Sequence, residues 1–556
     1  MTLYDALSHA SALHREGRFA EAKAAYRDIL RQTPNQFDAL HLLGVLALQS
    51  GDPVKGLAWI DKAIAERSDV SIAHKHRGMG LEALGRDTEA LSAYERAVAL
   101  NADYAEAWAN HGHLLLQRQN NEAALRSLDK ALALQPGLPL AAVDRAVALH
   151  RLQRYAESAA AHRRVLAICD ATLATDPRNA PTHVMRGLAS HALGAEQDAV
   201  ASYDKALDAV PDYPEAHYNR GIALMCLGRR EEGLQAYDRA LALRPGYLDA
   251  MLAKAHALLL LGRLEEGWRY YEWRKQSIER PGDRAFPQPL WLGEQPIAGK
   301  HLFVHWEQGY GDIVQMCRYT SILYDMGAKV TLSVPVGLLP LMRGFDRRIS
   351  IIGGAAVPPA FDFHCPLMSL PMALGTTVAT IPAMPRYLSA DTEASARWKA
   401  WLGPDPRPKI GLVWRGNPSR HYNRVRSIPL PDILGILDDR RRWICLQHEL
   451  DDEDAEAVRQ DGRIEFLGGK IQDIGETAAL VENLDAVISI DTFFAHLAGA
   501  LGKPLFLPLA YAPDWRWLVD RPDSPWYPSA RLFRQQTMGD WSSVLRDIAD
   551  SLPTER

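Results

Sequence analysis

The chain has 556 residues with 68 acidic and 63 basic side chains, which gives a formal net charge of −5. A chain of this length divides into several domains instead of folding around one core. The near balance of charge gives no electrostatic case for nucleic acid as a partner. Five scattered cysteines without a CxxC pair disfavour both a disulfide framework and a zinc site.

The first 15 residues predict an amphipathic helix that lacks the apolar core of a secretory signal. The most apolar helical stretch, residues 253–261, is far shorter than a membrane span. A cytoplasmic protein is therefore expected.

Eight equivalent small residues mark a repeat in the first half of the chain. They are Ala10, Gly44, Gly78, Gly112, Ala146, Gly187, Gly221 and Ala255. The steps between them are 34 residues long, except for one step of 41. A second small residue follows each of them twelve positions later. This period is typical of tetratricopeptide (TPR) helix pairs, which stack around one continuous core. The pattern predicts an all-α TPR superhelix of about eight repeats over residues 1–280.

The 41-residue step adds seven residues, about two helical turns, between Arg163 and Asn179. No helix breaker occurs in this stretch before Pro177. We expect an elongated second helix near residues 162–176 that protrudes from the superhelix. A tolerated insertion without a role is the alternative.

In TPR proteins the second, fifth, ninth and twelfth positions of each first helix line the concave surface. The middle and late repeats carry apolar residues there, namely Met79, Leu140, Val143, Val147, Leu188, Tyr218, Ile222, Met225, Leu252 and Leu259. An apolar groove of this size suits an amphipathic helix of a partner protein. The alternative is that some of these side chains belong to the core between repeats.

The repeat ends after Trp273, and residues 281–298, rich in Pro and Gly, predict a linker. Short apolar runs then alternate with helical stretches, which indicates βα units on parallel sheets. Strands are predicted at residues 301–306, 329–334, 349–352, 361–364, 410–414, 443–447, 464–467, 486–490, 504–509 and 531–533. Two Rossmann-like lobes, 299–390 and a donor-binding lobe at 391–556, form the α/β plan called GT-B in glycosyltransferases. Ligands of such sheets bind beyond the carboxyl ends of the strands.

The first predicted strand is followed by a polar turn that ends in Asp312. Gly309 and Gly311 permit a tight turn, and the amides that open the next helix can face an anion. Asp312 either caps this helix or serves catalysis. The nearby Glu307 and His305 favour the catalytic interpretation, and both are catalytic candidates.

The predicted strand 410–414 is followed by Asn417 and a run of cations. The cations are Arg420, His421, Arg424 and Arg426. Arginine forks match phosphate oxygens, so this loop is a candidate diphosphate site. A solvated, charged loop is the alternative.

The predicted strand 486–490 is followed by Asp491 and Thr492, and a helix begins at once. Its amides and positive dipole end would face a ligand, and His496 lies one turn along the same face. These residues form either a seat for donor phosphate or a capped helix with a satisfied histidine. The acidic run 451–454 precedes a predicted helix and is interpreted as its first turn, so no metal site is predicted.

These segments resemble the ADP-heptosyltransferase family of lipopolysaccharide synthesis over most of residues 300–552. The resemblance is carried by Gly311-Asp312, Glu449 and Asp491-Thr492-x-x-x-His496. It implies that Asp312 is the general base, and that Asp491, Thr492 and His496 hold the donor phosphates. It also implies that Arg426 replaces a phosphate-binding lysine and that Glu449 bonds the donor ribose.

Joined to TPR repeats, this half resembles the bacterial TPR-glycosyltransferases, some of which modify flagellin with nonulosonic sugars. The resemblance implies metal-independent, inverting transfer from a nucleotide sugar to serine or threonine of a docked protein, with flagellin as a candidate acceptor. It favours a CMP-linked nonulosonate over a UDP or ADP sugar, with no cofactor besides this donor substrate. Docking would raise the effective concentration of the acceptor at the cleft. The alternatives are a transferase for a glycan or lipopolysaccharide and a noncatalytic TPR adaptor with a degenerate GT-B half.

Overall fold

The computed structural model describes residues 2–276, 286–354, 356–416 and 423–553. The chain forms two compact units, Met1–Pro211 and Asp212–Arg556. The described elements of the first unit are all helices, whereas the second unit begins with four helices and continues into two parallel sheets. The repeat pattern therefore extends beyond the first unit. The predicted limits of the domains stay predictions.

The helices of the first unit follow one another in pairs, and each pair also contacts the next pair. They are α1 (Leu3–Arg15), α2 (Phe19–Gln32), α3 (Phe37–Gln49), α4 (Pro53–Glu66), α5 (Ser71–Glu82), α6 (Asp87–Leu100), α7 (Ala105–Gln117), α8 (Asn121–Leu134), α9 (Pro139–Arg151), α10 (Tyr155–Thr175), α11 (Ala180–Ala192) and α12 (Glu196–Ala209). These pairs match the first six repeats of the predicted register.

The second unit opens with the helix pairs of the seventh and eighth repeats. They are α13 (Pro214–Cys226), α14 (Arg230–Leu243), α15 (Leu248–Leu260) and α16 (Leu264–Tyr271), and a 3-10 turn (Glu272–Gln276) follows. None of the helices in the described part of the chain is both long and apolar enough to cross a membrane.

The small residue of each repeat lies against a large side chain sixteen positions later. A Cβ atom added to Gly221 would lie 2.5 Å from the Tyr237 ring, and one added to Gly44 would lie 2.6 Å from Ile60. Tyr237 and Ile60 are buried. Because carbon atoms do not approach this closely, a larger residue at the glycine would force the two helices of the pair apart.

At four of the junctions between helix pairs, an ion pair that the repeat pattern did not reveal links one helix pair to the next. A basic residue one position before the small residue of the repeat bonds an aspartate sixteen positions earlier, on the preceding helix. The pairs are Arg77–Asp61 at 2.7 Å, Arg145–Asp129 at 2.5 Å, Arg186–Asp170 at 2.9 Å and Lys254–Asp238 at 2.7 Å. Exposed pairs contribute roughly 0–1 kcal/mol each, so they mark the register of the repeat more than they stabilise it.

The elongated helix is confirmed, because α10 has 21 residues where α8 and α12 have 14 each. Its middle turns are packed, since Val165 and Cys169 are completely buried. The predicted protrusion of α10 from the superhelix stays a prediction.

Two parallel sheets follow the helical repeats. The first contains β1 (His301–His305), β2 (Lys329–Val334), β3 (Ser350–Gly353) and β4 (Phe363–Pro366). The second contains β5 (Lys409–Val413), β6 (Arg442–Cys445), β7 (Ile464–Phe466), β8 (Ala486–Ser489), β9 (Leu505–Leu509) and β10 (Ala530–Arg534). All ten predicted strands are confirmed, and every ladder between named strands is parallel.

Helices connect and flank these strands. They are α17 (Tyr310–Met316), α18 (Arg318–Asp325), α19 (Leu339–Met342), α20 (Leu370–Ala373), α21 (Thr392–Leu402), α22 (Asn423–Arg426), α23 (Leu430–Leu434), α24 (Asp452–Asp461), α25 (Ile474–Glu482), α26 (Phe493–Ala500) and α27 (Trp541–Ser551). Part of the predicted linker also belongs to the first sheet region, since the Trp291 amide donates to the His364 carbonyl at 2.9 Å.

The strand order places the predicted site segments at the point where ligands bind. The second sheet runs β7-β6-β5-β8-β9-β10, which is the 3-2-1-4-5-6 order of doubly wound nucleotide-binding sheets. Its order reverses between β5 and β8, and that of the first sheet reverses between β1 and β4. The candidate segments follow β1, β5 and β8. The sheets are thus confirmed as parallel, and the GT-B arrangement stays a proposal.

The predicted concave residues differ in exposure. Met79 and Leu140 are 42% and 71% exposed, as a docking surface requires. Leu259 is completely buried, so its assignment to the groove is wrong. A Cβ atom on Gly267 would lie 2.7 Å from Leu259, which shows that this side chain fills the contact between α15 and α16. The remaining residues of the set are partly buried.

We expect Gly221→Val to destabilise the fold by roughly 1–3 kcal/mol, because the added carbons overlap the Tyr237 ring. Thermal unfolding of the full chain, followed by circular dichroism, should show a lower Tm. Gly246→Ala is the matched control, since an added Cβ there meets no atom within 4 Å. Equal Tm values for the two variants would show that tight packing at Gly221 is not required.

Candidate functional site

The turn between β1 and α17 holds Asp312 by two contacts. The Gly309 amide donates to Oδ2 of Asp312 at 2.9 Å, so Asp312 does cap the helix. The other carboxylate oxygen, Oδ1, accepts from the guanidinium of Arg516, with which it forms an ion pair. Capping therefore accounts for only one of the two oxygens.

Arg516 connects the ends of the two sheets. It lies in a 3-10 turn (Trp515–Trp517) after β9 and is 8% exposed. Its Nε donates to Oε1 of Gln315 on α17 at 2.9 Å, and its Nη1 donates to Asp514 at 2.8 Å. With the bond to Asp312, every nitrogen of this guanidinium has a partner. We call Asp312, Gln315, Asp514 and Arg516 the Arg516 cluster.

Charge balance keeps Arg516 and Asp514 ionised. Burial opposes the charge of Arg516, but the carboxylates of Asp514 and Asp312 outweigh it and raise the pKa of Arg516 well above its ordinary value. Burial likewise opposes the charge of Asp514, but Arg516 outweighs it and lowers the pKa of Asp514. Removing one partner of such a buried pair costs about 3–5 kcal/mol, because the other charge is left uncompensated.

Asp491 lies at the end of β8, beside this cluster. Its carbonyl accepts from Nη1 of Arg426 at 2.6 Å. Burial, and then the charge of Asp514, raise the pKa of Asp491 to about 6. The Nε of Arg426 is buried without a hydrogen-bond partner among the described residues. The guanidinium of Arg426 therefore retains a donor that a ligand could use.

The start of α26 offers uncapped amides. Thr492 is the N-cap residue, but its side chain makes no capping hydrogen bond. Its hydroxyl instead lies 3.2 Å from the Ser489 hydroxyl. The first amides of a helix need partners from outside the helix, and an anion can supply them.

His496 is buried between the two sheet regions. Its Nδ1 lies 2.9 Å from the Tyr527 hydroxyl, and its ring stacks on Trp517 with a centroid distance of 5.5 Å. Burial lowers the pKa of His496 to about 3, so the ring is neutral at physiological pH. A Cβ atom on Gly311 would lie 2.8 Å from this ring, so a residue larger than glycine does not fit at position 311. His496 can therefore offer a ligand a hydrogen bond but no charge, and its role stays a prediction.

The other two catalytic candidates have structural partners. Glu307 bonds Nη2 of Arg274 at 2.5 Å, and its side chain is 13% exposed. Nε2 of His305 lies 3.3 Å from Nδ1 of His364. These contacts hold the turn after β1 in place, and the catalytic roles of both residues stay predictions.

The loops after β5 and β6 are described in part. Asn417, Arg420 and His421 lie outside the described residues, as does the side chain of Arg424. Glu449 is exposed in the loop after β6. The structure therefore leaves the predicted ribose contact and most of the predicted cation run as predictions.

The acidic run 451–454 starts a helix, as predicted. The Asp451 side chain accepts from the Asp454 amide at 2.8 Å and caps α24. Asp454 is buried and accepts from the Trp414 indole at 2.9 Å. Both carboxylates also pair with Arg415. These contacts give the acidic residues a structural role.

The last helical repeat contacts the same loops. Trp268 meets Trp515 edge to face, with ring centroids 5.2 Å apart. The Tyr271 hydroxyl lies 2.9 Å from the side-chain nitrogen of Gln308, next to Glu307. His256, at the ninth position of its repeat, is exposed and interacts electrostatically with Asp514. A predicted concave position thus adjoins the Arg516 cluster.

Arg516 was missed because the sequence analysis considered only the ends of three strands. The signal is Asp514-Trp-Arg-Trp517, a charged and aromatic turn that follows the buried strand β9. The second signal is the aromatic run Trp268 to Trp273, which ends the repeats and also contacts Trp515 and Gln308.

Profile models of the tetratricopeptide repeat match residues 7–71, 76–139, 109–171 and 214–247, and a TPR repeat model matches residues 187–228. The chain therefore carries TPR repeats through most of its first half, as the register predicts. The segment 172–186, between two of these matches, includes the end of the elongated helix α10.

The chain is similar to Protein FlbA of Caulobacter vibrioides, with 26% identity over 296 residues. The match covers 48% of this chain and 48% of FlbA, so the chain spans about half the length of this relative. A TPR protein from Parabacteroides merdae is 16% identical over 46% of this chain and 98% of its own, with a TM-score of 0.36. A thermophilic TPR protein from Thermus thermophilus is 28% identical over 34% of this chain and 100% of its own, with a TM-score of 0.30. Such scores are too low to support a shared overall arrangement.

We expect the stability of the fold to depend on the charge of Asp491. The raised pKa means that the folded state holds this proton more tightly than the unfolded state, so stability falls as pH rises toward and through about 6. Asp491→Asn removes the ionisable group and therefore this loss of stability. It should stabilise the protein by roughly 1–3 kcal/mol at pH 7.5 and by less at pH 5. Tm measurements at both pH values test this, with exposed Asp547→Asn as the control. The same Tm change at pH 5 and pH 7.5 would contradict it.

Proposed function

We propose that the protein is a protein O-glycosyltransferase with a GT-B catalytic half. It would dock a protein acceptor on its TPR repeats and transfer a sugar from a nucleotide sugar to serine or threonine. The observation that carries this proposal is the Arg516 cluster, at which the ends of β1, β8 and β9 meet next to the last TPR repeat. The resemblance to TPR-glycosyltransferases adds flagellin as a candidate acceptor and a CMP-linked nonulosonate as a candidate donor.

The TPR half supports protein docking. TPR repeats present a surface of side chains that no single repeat buries, and Met79 and Leu140 remain exposed at predicted concave positions. In the last repeat, which belongs to the second unit, the exposed His256 interacts electrostatically with Asp514. A peptide bound to that repeat would lie beside the Arg516 cluster.

The second sheet supports donor binding. The uncapped start of α26 and the Nε of Arg426, which has no hydrogen-bond partner among the described residues, supply hydrogen-bond donors and positive charge near one switch point. Since cations and helix amides of the chain can stabilise the leaving phosphate, we propose transfer without a metal ion.

The first sheet supplies the base. The acceptor hydroxyl oxygen would attack the anomeric carbon while the bond from that carbon to the phosphate oxygen breaks. The phosphate leaves with the electron pair, and the hydroxyl proton passes to a carboxylate oxygen of Asp312. Attack opposite to the leaving group inverts the anomeric centre. Arg516 would orient Asp312 before the acceptor arrives.

A noncatalytic adaptor is the competing candidate. Its support is that Asp312 is paired with Arg516, and Glu307 with Arg274, so that both carboxylates are engaged within the described residues. An adaptor would bind its protein partner without turning over a sugar donor. The two candidates differ in the consequence of a single conservative substitution.

Asp312→Asn should reduce sugar transfer by roughly 10²–10⁴-fold, because an amide cannot accept the proton. Asparagine caps helices about as well as aspartate, and Asp514 stays as a carboxylate partner of Arg516. The variant should therefore lose stability but remain folded below its lowered Tm, and it should keep its nucleotide and acceptor affinities. Transfer is measured as sugar incorporated into the acceptor per unit time, with Glu307→Gln as the matched control. Near-normal turnover by Asp312→Asn, together with a loss in Glu307→Gln, would move the base to Glu307. No turnover by the unmodified chain with CMP, UDP or ADP sugars would favour the adaptor.

Thr492→Ala and Arg426→Ala should weaken nucleotide binding, because they remove contacts at the start of α26 and on the Asp491 carbonyl. Calorimetric titration of the full chain with CMP, UDP and ADP measures this. We expect one nucleotide to bind and its affinity to fall by about tenfold in each variant, the scale of one charge-assisted hydrogen bond. Asp547→Asn, on the exposed face of α27, is the control. Unchanged affinity in both variants would exclude this donor site.

A further inference from the structure

The elongated helix α10 forms one wall of a polar cleft in the first unit. The cleft has a volume of about 560 Å³ and lies between the last turns of α10, the turn after it, and the helices α11 and α12. Its charged or polar lining residues are Asp170, Arg178, His183, Arg186, Lys205 and Asp208. This volume is in the range of ligand sites in proteins.

One wall residue breaks the pattern of the repeats. The position nine residues before the small residue of each repeat belongs to the turn between helix pairs. In the other repeats it holds Asn35, Asp69, Asp103, Gly137, Asp212 and Gly246. These are residue types that favour turns. After the elongated helix the same position holds Arg178, a cation.

The change at Arg178 creates a pair of like charges. A basic residue stands 27 positions after this turn position in several repeats, and in the seventh repeat Arg239 pairs with Asp212 at 2.6 Å. The equivalent of that ion pair in the cleft is Lys205 with Arg178. Both are exposed, and neither has an ionic partner among the described residues. Two unpaired cations on one cleft favour an anionic ligand.

The other charges in the cleft do not cancel the positive charges of Arg178 and Lys205. Arg186 is held by Asp170 at 2.9 Å and by the Ser202 hydroxyl at 2.8 Å, so the charge of Asp170 is already matched. Asp208 is then the one lining carboxylate without a described ion pair. The cleft therefore keeps a net positive charge.

The cleft also contains hydrogen-bond acceptors. Nε2 of His183 lies 2.9 Å from the Pro177 carbonyl, and since a carbonyl can only accept, Nε2 carries the proton. Nδ1 of His183 is thus an acceptor, and it is buried without a partner in the described part of the chain. The Asp208 carboxylate is a second acceptor. A polypeptide offers N–H donors together with carboxylates, whereas inorganic phosphate offers few donors.

We propose that this cleft binds an acidic segment of a partner protein. Side-chain carboxylates of the segment would lie on Arg178 and Lys205, and its backbone N–H groups would face Asp208 and His183. The two extra turns of α10 have the role of building this site. The inference does not depend on sugar transfer, because the cleft lies wholly within the first unit.

Fluorescence anisotropy of the full chain with a labelled peptide of alternating glutamate and glycine tests the proposal. We expect saturable binding that weakens as salt is added, because the contacts are ionic. Arg178→Asp should weaken it by at least about tenfold. This variant places at position 178 the aspartate that three other repeats have at the equivalent position. It should therefore fold, and its Tm verifies this. Lys130→Ala, at the register position of Lys205 in another repeat, should leave the affinity unchanged.

Three results would overturn the proposal. Equal binding of a peptide with glutamine in place of glutamate would exclude carboxylate recognition. Displacement of the peptide by an equal concentration of inorganic phosphate would make this a phosphate site. Unchanged affinity in a folded Arg178→Asp variant would place the peptide elsewhere on the chain.

Discussion

The ion pair between Asp312 and Arg516 is the contact on which the rest of the candidate site depends. It joins the turn after the first strand of one sheet to the turn after β9 of the other. Because Arg516 is buried and also bonds Gln315 and Asp514, the two turns cannot separate without exposing or orphaning a charge. The same cluster sets the electrostatics of its surroundings, since the charge of Asp514 helps to raise the pKa of Asp491.

The helical repeats are part of this arrangement through their last pair. Trp268 packs on Trp515, and Arg274 pairs with Glu307, so the final repeat contacts the turns that follow both β9 and β1. This proximity gives a physical reason for one chain to contain both parts, because an acceptor bound to the last repeat would lie next to the proposed site.

Much of the fold could be predicted because its signals are local. Four of the strands, β1, β5, β8 and β9, are buried along their whole length. The repeats require small residues where Tyr237 and similar side chains lie. The site was harder to predict. That Arg516 meets Asp312 follows from the order of strands in the second sheet and from the packing of two distant turns, which no spacing encodes. Leu259 was misplaced because a concave position and a core position share the same helical period in the final repeat.

We propose that a docking array and a sugar-transfer site of this chain act on one protein. The most direct test isolates a protein that the chain captures, from cells with the chain and from cells without it, and measures the intact mass of that protein. We expect the captured protein to be heavier by whole multiples of one sugar residue only in cells that contain the chain. Identical masses from both sources, for every captured protein, would contradict it.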